Sequence, residues 1–460
     1  MQVKASAEAF REQILHGPII RTLLWLAWPL IVANLVNISY NLIDAFWLGK
    51  LGKEAFGAPT VCWPMIMLFY SIGMGYTAAG IALISQYFGA GDKRMAEICA
   101  GHLLFFSLII ALMMSTIGYV SAPYILSAMR VPPDIYPLAV KYVSVIFMGI
   151  PFVFVGFAFN AIANAIGDTR TPTILNITSA TVNTILDPFM IFGLAGFPKM
   201  GVVGAALATT ISRSIISIVG TYLLLKGFRG IKIHLEYLKV SRWWLRKIFS
   251  IGTPLAIQQS SNALGFTIMT SIVSRFGSTV VAAYGIAIRI IDVMQAFTWG
   301  INRALVTMIG QNIGAEQYER TRNIAWRALV LIVSILVIGS IIIFLFRHSI
   351  ISVFIDDVSV LNEGSLLIQV FTFSIPFFGL FFVSGAIANG SGHTKIFAAI
   401  SIIRLWGLRI LLSILLAFML NLGSLGIWIA MSISNIVAGI ISLAWVLRGS
   451  WLKRVIDITT

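Results

Sequence analysis

Charge is scarce in this chain. Only 11% of its 460 residues are Asp, Glu, Lys or Arg, where a water-soluble domain needs roughly a quarter to keep its surface wet. With 58% hydrophobic residues and a mean hydropathy of +0.94, that scarcity excludes a cytosolic enzyme, a secreted disulfide scaffold and a disordered chain. Cysteine is nearly absent too. Cys62 sits in an apolar run and Cys99 near the start of the next, so there is neither a disulfide framework nor a CxxC metal site. The five histidines are scattered without an HExxH pair, and Gly89 to Gly91 lacks the context of a phosphate loop. No catalytic constellation is visible, so the chain does not read as an enzyme. Apolar runs such as 103–120 and 328–346 are about twice as long as a membrane β-strand and do not alternate, which excludes a β-barrel.

What remains is an all-α membrane protein. Charged and Gly/Pro-rich punctuation divides it into twelve transmembrane helices, near 19–48, 57–87, 97–121, 137–165, 170–194, 200–226, 244–274, 282–310, 322–346, 362–388, 395–421 and 424–448. The amino terminus carries a few charges and then about thirty apolar residues from Ile19 with no small-residue cleavage site, so this segment reads as the first span. If the spans alternate, most of the 32 Lys and Arg residues share one side with both termini. By the positive-inside rule that side is the cytoplasm of a multi-pass plasma-membrane protein. The net charge of +15 therefore reads as a topology signal and not as a nucleic-acid surface.

The sequence repeats. At one offset of 225 positions Pro29 falls on Pro254, Gly75 on Gly300, Gln86 on Gln311, Gly89 on Gly314, Pro151 on Pro376, Asn164 on Asn389 and Gly201 on Gly426. Pro, Gly, Gln and Asn do not coincide this way by apolar bias, so the chain is a tandem duplication. Residues 1–225 form one six-helix bundle, 226–247 a basic cytoplasmic linker and 248–460 the second bundle. An even number of spans per half implies a parallel repeat about an axis along the membrane normal, with a cleft between the bundles.

Asp44, Asp187 and Asp292 fall inside predicted spans, where an ionised side chain costs at least about 2.5 kcal/mol. Asn34, Asn37, Asn41 and Asp44 recur at steps of three and four, on one stripe of the first helix beside Tyr40. Asn176, Asn183 and Asp187 form a second stripe on the fifth, the sixth offers Thr209 and Thr210, and Tyr142 lies early in the fourth. At about 1.5 Å per residue these groups share one depth. No basic partner for them is expected at that depth in this half. Two carboxylates in a dry chamber cannot easily both stay charged, so they would take up a proton or hold a sodium ion with Asn183 and Thr209 as further oxygen donors. Hydrogen-bonded glue between helices is the plainer reading. Against it, Asp44, Asn183 and Asp187 become Met269, Leu408 and Leu412 in the second half, and glue would be expected in both copies. Asp292 has Arg289 on its own helix and Arg409 at a similar depth, which favours a structural ion pair over a second proton site. Pro29 interrupts the first helix and marks a bend or a hinge.

Twelve spans in two halves, Pro29 with Tyr40 and Asp44, Asn183 with Asp187-Pro188, and the run from Gly204 to Thr209 resemble the multidrug and toxic compound extrusion (MATE) family, in its prokaryotic and archaeal branch. The resemblance implies efflux of amphipathic, often cationic compounds by alternating access, in exchange for H+ or Na+ and with no other cofactor. It implies a cation site at Asp44, Asn183, Asp187 and Thr209. A drug pocket near Asn37, Tyr40, Asn41, Tyr142 and Asn176 and a hinge at Pro29 go with it, in a monomer that meets lipid and small substrates only. A flippase for lipid-linked saccharides is the alternative within transport. Another branch carries an acid in the seventh helix, where this chain reads Gln258-Gln259-Ser260-Ser261-Asn262.

Overall fold

The computed structural model describes residues 2–353 and 357–457, excepting the side chains of 2–7, 42, 53 and 290–297. An amino-terminal helix α1 (Gln2–His16) precedes twelve long helical segments: α2 (Ile19–Gly49), α3 (Lys53–Gly89), α4 (Lys93–Ala128), α5 (Tyr136–Ala165), α6 (Arg170–Phe192), α7 (Val202–Lys226), α8 (Arg242–Ser274), α9 (Ser278–Gly314), α10 (Tyr318–Leu345), α11 (Val358–Ser391), α12 (Thr394–Met419) and α13 (Gly423–Arg448). Among the described residues nine of these are long and apolar enough to cross a bilayer; α6, α8 and α9 complete the twelve. The fold is therefore the expected all-α membrane architecture. The segments run a few residues beyond the sequence estimate because charged ends such as Lys53 and Lys93 start helices that project past the apolar core. Ile338, Ile341 and Leu345 of α10 are more than half exposed, as a face turned to hydrocarbon must be.

Helix α1 was not expected. It forms because Ile14 and Leu15 are buried while Glu8 and Glu12 stay near water, an amphipathic arrangement with too few apolar residues to span a membrane. The linker is also more ordered than its basic composition suggests. Phe228 and Ile231 pair in a short bridge, Ile233 and Trp244 are buried, and both ring nitrogens of His102 on α4 engage the linker, at Tyr237 O and Ser241 Oγ, each at 3.1 Å.

The halves meet through α2 against α9, α3 against α8 and α3 against α9. Equivalent residues of the repeat make reciprocal contacts at the end of the molecule that carries both termini. A Cβ on Gly89 would collide with the backbone of Gln311, and one on Gly314 with the backbone of Gln86. Gln86 Nε2 donates to Ser391 O at 3.1 Å, and Gln311 Nε2 donates to Ala165 O at 2.8 Å. Arginines then cap the two helix ends. Arg11 donates to Gly89 O at 2.7 Å, and Arg454 donates to Gly314 O while pairing with Glu316 at 2.7 Å. Cations there oppose the negative ends of α3 and α9. This end of the interface is closed.

Candidate functional site

Helices α2, α6 and α7 pack together in the first half, α6 lying against both of the others. On α6, Asn183 and Asp187 are four residues apart and therefore one turn apart on the same face, and both are fully buried. With its amide turned to satisfy both neighbours, Asn183 donates to Asp187 Oδ2 at 3.0 Å and accepts from the Thr209 backbone N–H at 3.1 Å. The Thr209 side chain reaches the other way and meets the Tyr40 hydroxyl at 3.1 Å. Asp44, one turn beyond Tyr40 on α2, lies within electrostatic reach of Asp187, Tyr40 and Tyr142. Its Oδ1 is buried without a hydrogen-bond partner. Five oxygen-bearing residues from three helices thus converge, and Oδ1 of Asp44 is buried and unclaimed. That donor set suits a proton or a hard monovalent cation.

Tyr142 of α5 is buried beside this group. Asn37, Tyr40 and Asn176 line one small cavity of about 20 Å³, room for about one water. Asn176 donates to Pro172 O at 2.7 Å, and Asn41 is exposed outside those walls. In this conformation the residues expected to surround a drug do not enclose a drug-sized space.

Arg213 corrects the expectation that no basic group shares this depth. It lies one turn beyond Thr209 on α7, where its Nη2 donates to Asn37 Oδ1 at 3.2 Å and its guanidinium sits 5.4 Å from the Tyr40 ring centre. The one signal was its position in the middle of a span otherwise charged only at its end, Lys226.

Pro29 does not break α2, which continues through it. Its carbonyl accepts from Thr173 Oγ1 of α6 at 3.0 Å, so this turn of α2 is tied to the helix that carries Asp187.

The large cavity lies elsewhere, mostly in the second half. It measures about 520 Å³ and is lined by α8, α9, α11, α12 and α13, with Met74, Gly75 and Ala78 of α3 closing one side. Arg303, Arg404 and Arg409 face it, and no carboxylate lines it among the described residues. Arg404 and Arg409 share a feature that periodicity does not reveal. Residues five apart on an α-helix point about 140° from one another, but residues 403–410 wind as a π-helix, in which positions five apart are bonded neighbours on one face. Accordingly Arg404 Nη1 and Arg409 Nη2 both donate to Asn435 Oδ1, at 3.2 and 2.7 Å. Arg409 also donates to Ser434 Oγ at 3.1 Å. The side chain of Asp292, its expected partner, lies outside the described residues, while Arg289 is exposed.

The MatE family profile matches residues 29–189 and again 254–415, two copies in the register of the internal repeat. The chain is 27% identical over 410 residues to the probable multidrug resistance protein YoeA of Bacillus subtilis, covering 87% of this chain and 88% of that one. It is 25% identical over 430 residues to the FAD transporter of Shewanella oneidensis, covering 94% and 95%. Its fold superposes with a TM-score of 0.87, at 23% identity and over 96% and 98% of the two chains, on a MOP superfamily transporter from Pyrococcus furiosus. That structure is described by the reverse polarity of its binding pocket.

Proposed function

This chain belongs to the MatE family, and on that premise we propose that it is an efflux antiporter, exporting amphipathic organic compounds, cationic ones among them, against an inward flow of H+ or Na+. It is a multi-pass membrane transporter. The observation that carries the antiport reading is the convergence of buried Asp187 and Asn183 with Thr209, Tyr40 and Asp44, whose Oδ1 is buried without a partner. Multidrug relatives such as the one from Bacillus subtilis support the class of cargo.

The proposed cycle follows from charge. An arriving cation neutralises the Asp44–Asp187 pair and removes the cost of bringing α2 and α6 together around it. Because Thr173 fastens the Pro29 carbonyl to α6, movement of α6 is felt at Pro29 of α2. A ligand drives such a change only by binding one conformation better than the other. Residues 1–225 and 248–460 then rock as two bundles, with the 226–247 linker and both termini in the cytoplasm. The contacts of Gln86 and Gln311 would form the inner seal of a monomer.

The test is efflux of a fluorescent cationic dye from proteoliposomes under an imposed H+ or Na+ gradient, with each ion replaced in turn at fixed pH. Uphill accumulation driven by one ion is the expected result. Dye movement indifferent to both gradients overturns the antiport reading.

A further inference from the structure

The coupling residues above occupy α2, α6 and α7. The 520 Å³ chamber of the second half takes no part in that reading. Its volume is that of a drug-sized molecule, and its charge has the opposite sign.

Arg303, Arg404 and Arg409 supply that charge. None makes an ion pair among the described residues. Arg404 is 7% exposed, leaves its Nε without a partner and stacks its guanidinium 4.7 Å from the Phe381 ring centre. Arg404 and Arg409 converge on Asn435, an uncharged acceptor that positions both forks without neutralising either. Structural roles therefore account for part of Arg404 and Arg409. They do not account for Arg303, which is accessible from the chamber and, among the described residues, makes no ion pair or hydrogen bond that would hold it in place. Uncompensated cations at membrane depth are costly and mark substrate or ion pathways. A guanidinium fork is also the group that recognises carboxylate, phosphate or sulfonate by paired hydrogen bonds.

The rest of the wall is aromatic. Trp299 meets Phe382 edge-on at 5.1 Å, Phe378 stacks with Phe382 at 5.8 Å, and Phe381 stacks with Phe397 at 4.8 Å. Asn302 and Asn389 each hold a buried carbonyl oxygen with no donor. Flat rings fit such walls, acidic groups fit the arginines, and a cation would be repelled.

We propose that this chamber is a binding site for aromatic organic anions, compounds with a flat ring system carrying one or two acidic groups. The site lies on different helices from the coupling group and does not depend on it. Binding needs no gradient, so failed antiport with intact anion binding leaves this proposal standing.

The experiment is calorimetric titration of the full chain in lipid nanodiscs with naphthalene-1-sulfonate, with neutral 1-naphthol and with the 1-naphthylmethylammonium cation, each corrected by empty nanodiscs. The sulfonate is expected to bind at least tenfold more tightly than the other two. Arg303→Gln is expected to weaken the sulfonate about tenfold and leave naphthol unchanged, while Arg303→Lys, which keeps the charge, restores most of the preference. Should Arg303→Gln lose its folded melting transition, the wild-type protein answers alone: raising NaCl from 0.05 to 0.5 M must weaken the sulfonate and spare naphthol. Equal binding of the three probes, an unchanged sulfonate affinity in folded Arg303→Gln, or salt-independent sulfonate binding overturns the assignment.

Discussion

The hydroxyl of Tyr40 meets that of Thr209 at 3.1 Å, joining α2 to α7 across the buried acids of the first half. Neither residue is charged, yet the pair sets the spacing between the helices that flank Asp187. Tyr40→Phe and Thr209→Val are each expected to lower stability, with a coupling of about 1 kcal/mol between them in a double-mutant cycle read by thermal melting. Strictly additive losses would mean that the contact is incidental.

Asp44→Asn and Asp187→Asn keep the shape of the side chain and remove its charge. Either is expected to reduce gradient-driven dye efflux to background while the protein reaches the membrane in normal amount, measured by proteoliposome transport beside quantitative membrane blotting. Normal efflux at equal abundance would remove these acids from the cycle.

Arg213 holds a positive charge over the ring of Tyr40, one turn of α2 from Asp44. A cation there opposes the arrival of a second cation, by about 1 kcal/mol at surface-like screening and moderate separation. Arg213→Gln should therefore lower the half-saturating concentration of the coupling ion several-fold, measured as the ion dependence of efflux. A raised or unchanged value would refute this account of its role.

Gly89 has no room for a side chain beside Gln311. Gly89→Val should hold the interface apart at the end carrying the termini. A cysteine replacing Thr307, which is 1% exposed and donates to Asn164 O at 2.9 Å, then becomes a probe once Cys62 and Cys99 are changed to alanine. Labelling by an impermeant maleimide is expected to rise at least tenfold in the Gly89→Val background, and unchanged labelling would show that the seal is made elsewhere.

Pro29→Ala supplies the missing backbone N–H and stiffens α2 at this turn. The expected outcome is a protein at least as stable to heat whose transport is roughly tenfold slower. Wild-type transport would leave Pro29 with no part in the movement.

The course of the chain was legible in the residues because the bilayer leaves so few options. A spanning segment must be about twenty apolar residues of helix, so runs such as 328–346 announced themselves. Duplication was equally plain, since Gln86 and Gln311 or Gly89 and Gly314 recur at one offset. Helix α1 went unread because a short amphipathic segment has no apolar run to mark it. The polar stripes of α2 and α6 came from α-helical periodicity, which works wherever the winding is regular.

Sequence alone thus determined the twelve-helix path, the repeat and the concentration of acids in one half, for these are properties of composition and one-dimensional spacing. Tertiary structure decided which polar groups touch. It alone seated Arg213 over Tyr40 and made the two repeat glutamines bond reciprocally across the interface. Through a local π-helical winding it brought Arg404 and Arg409 to the same acceptor. The reason is geometric: a contact between helices depends on their rotation, crossing and winding, and a change of one residue in the turn moves a side chain from one face to another.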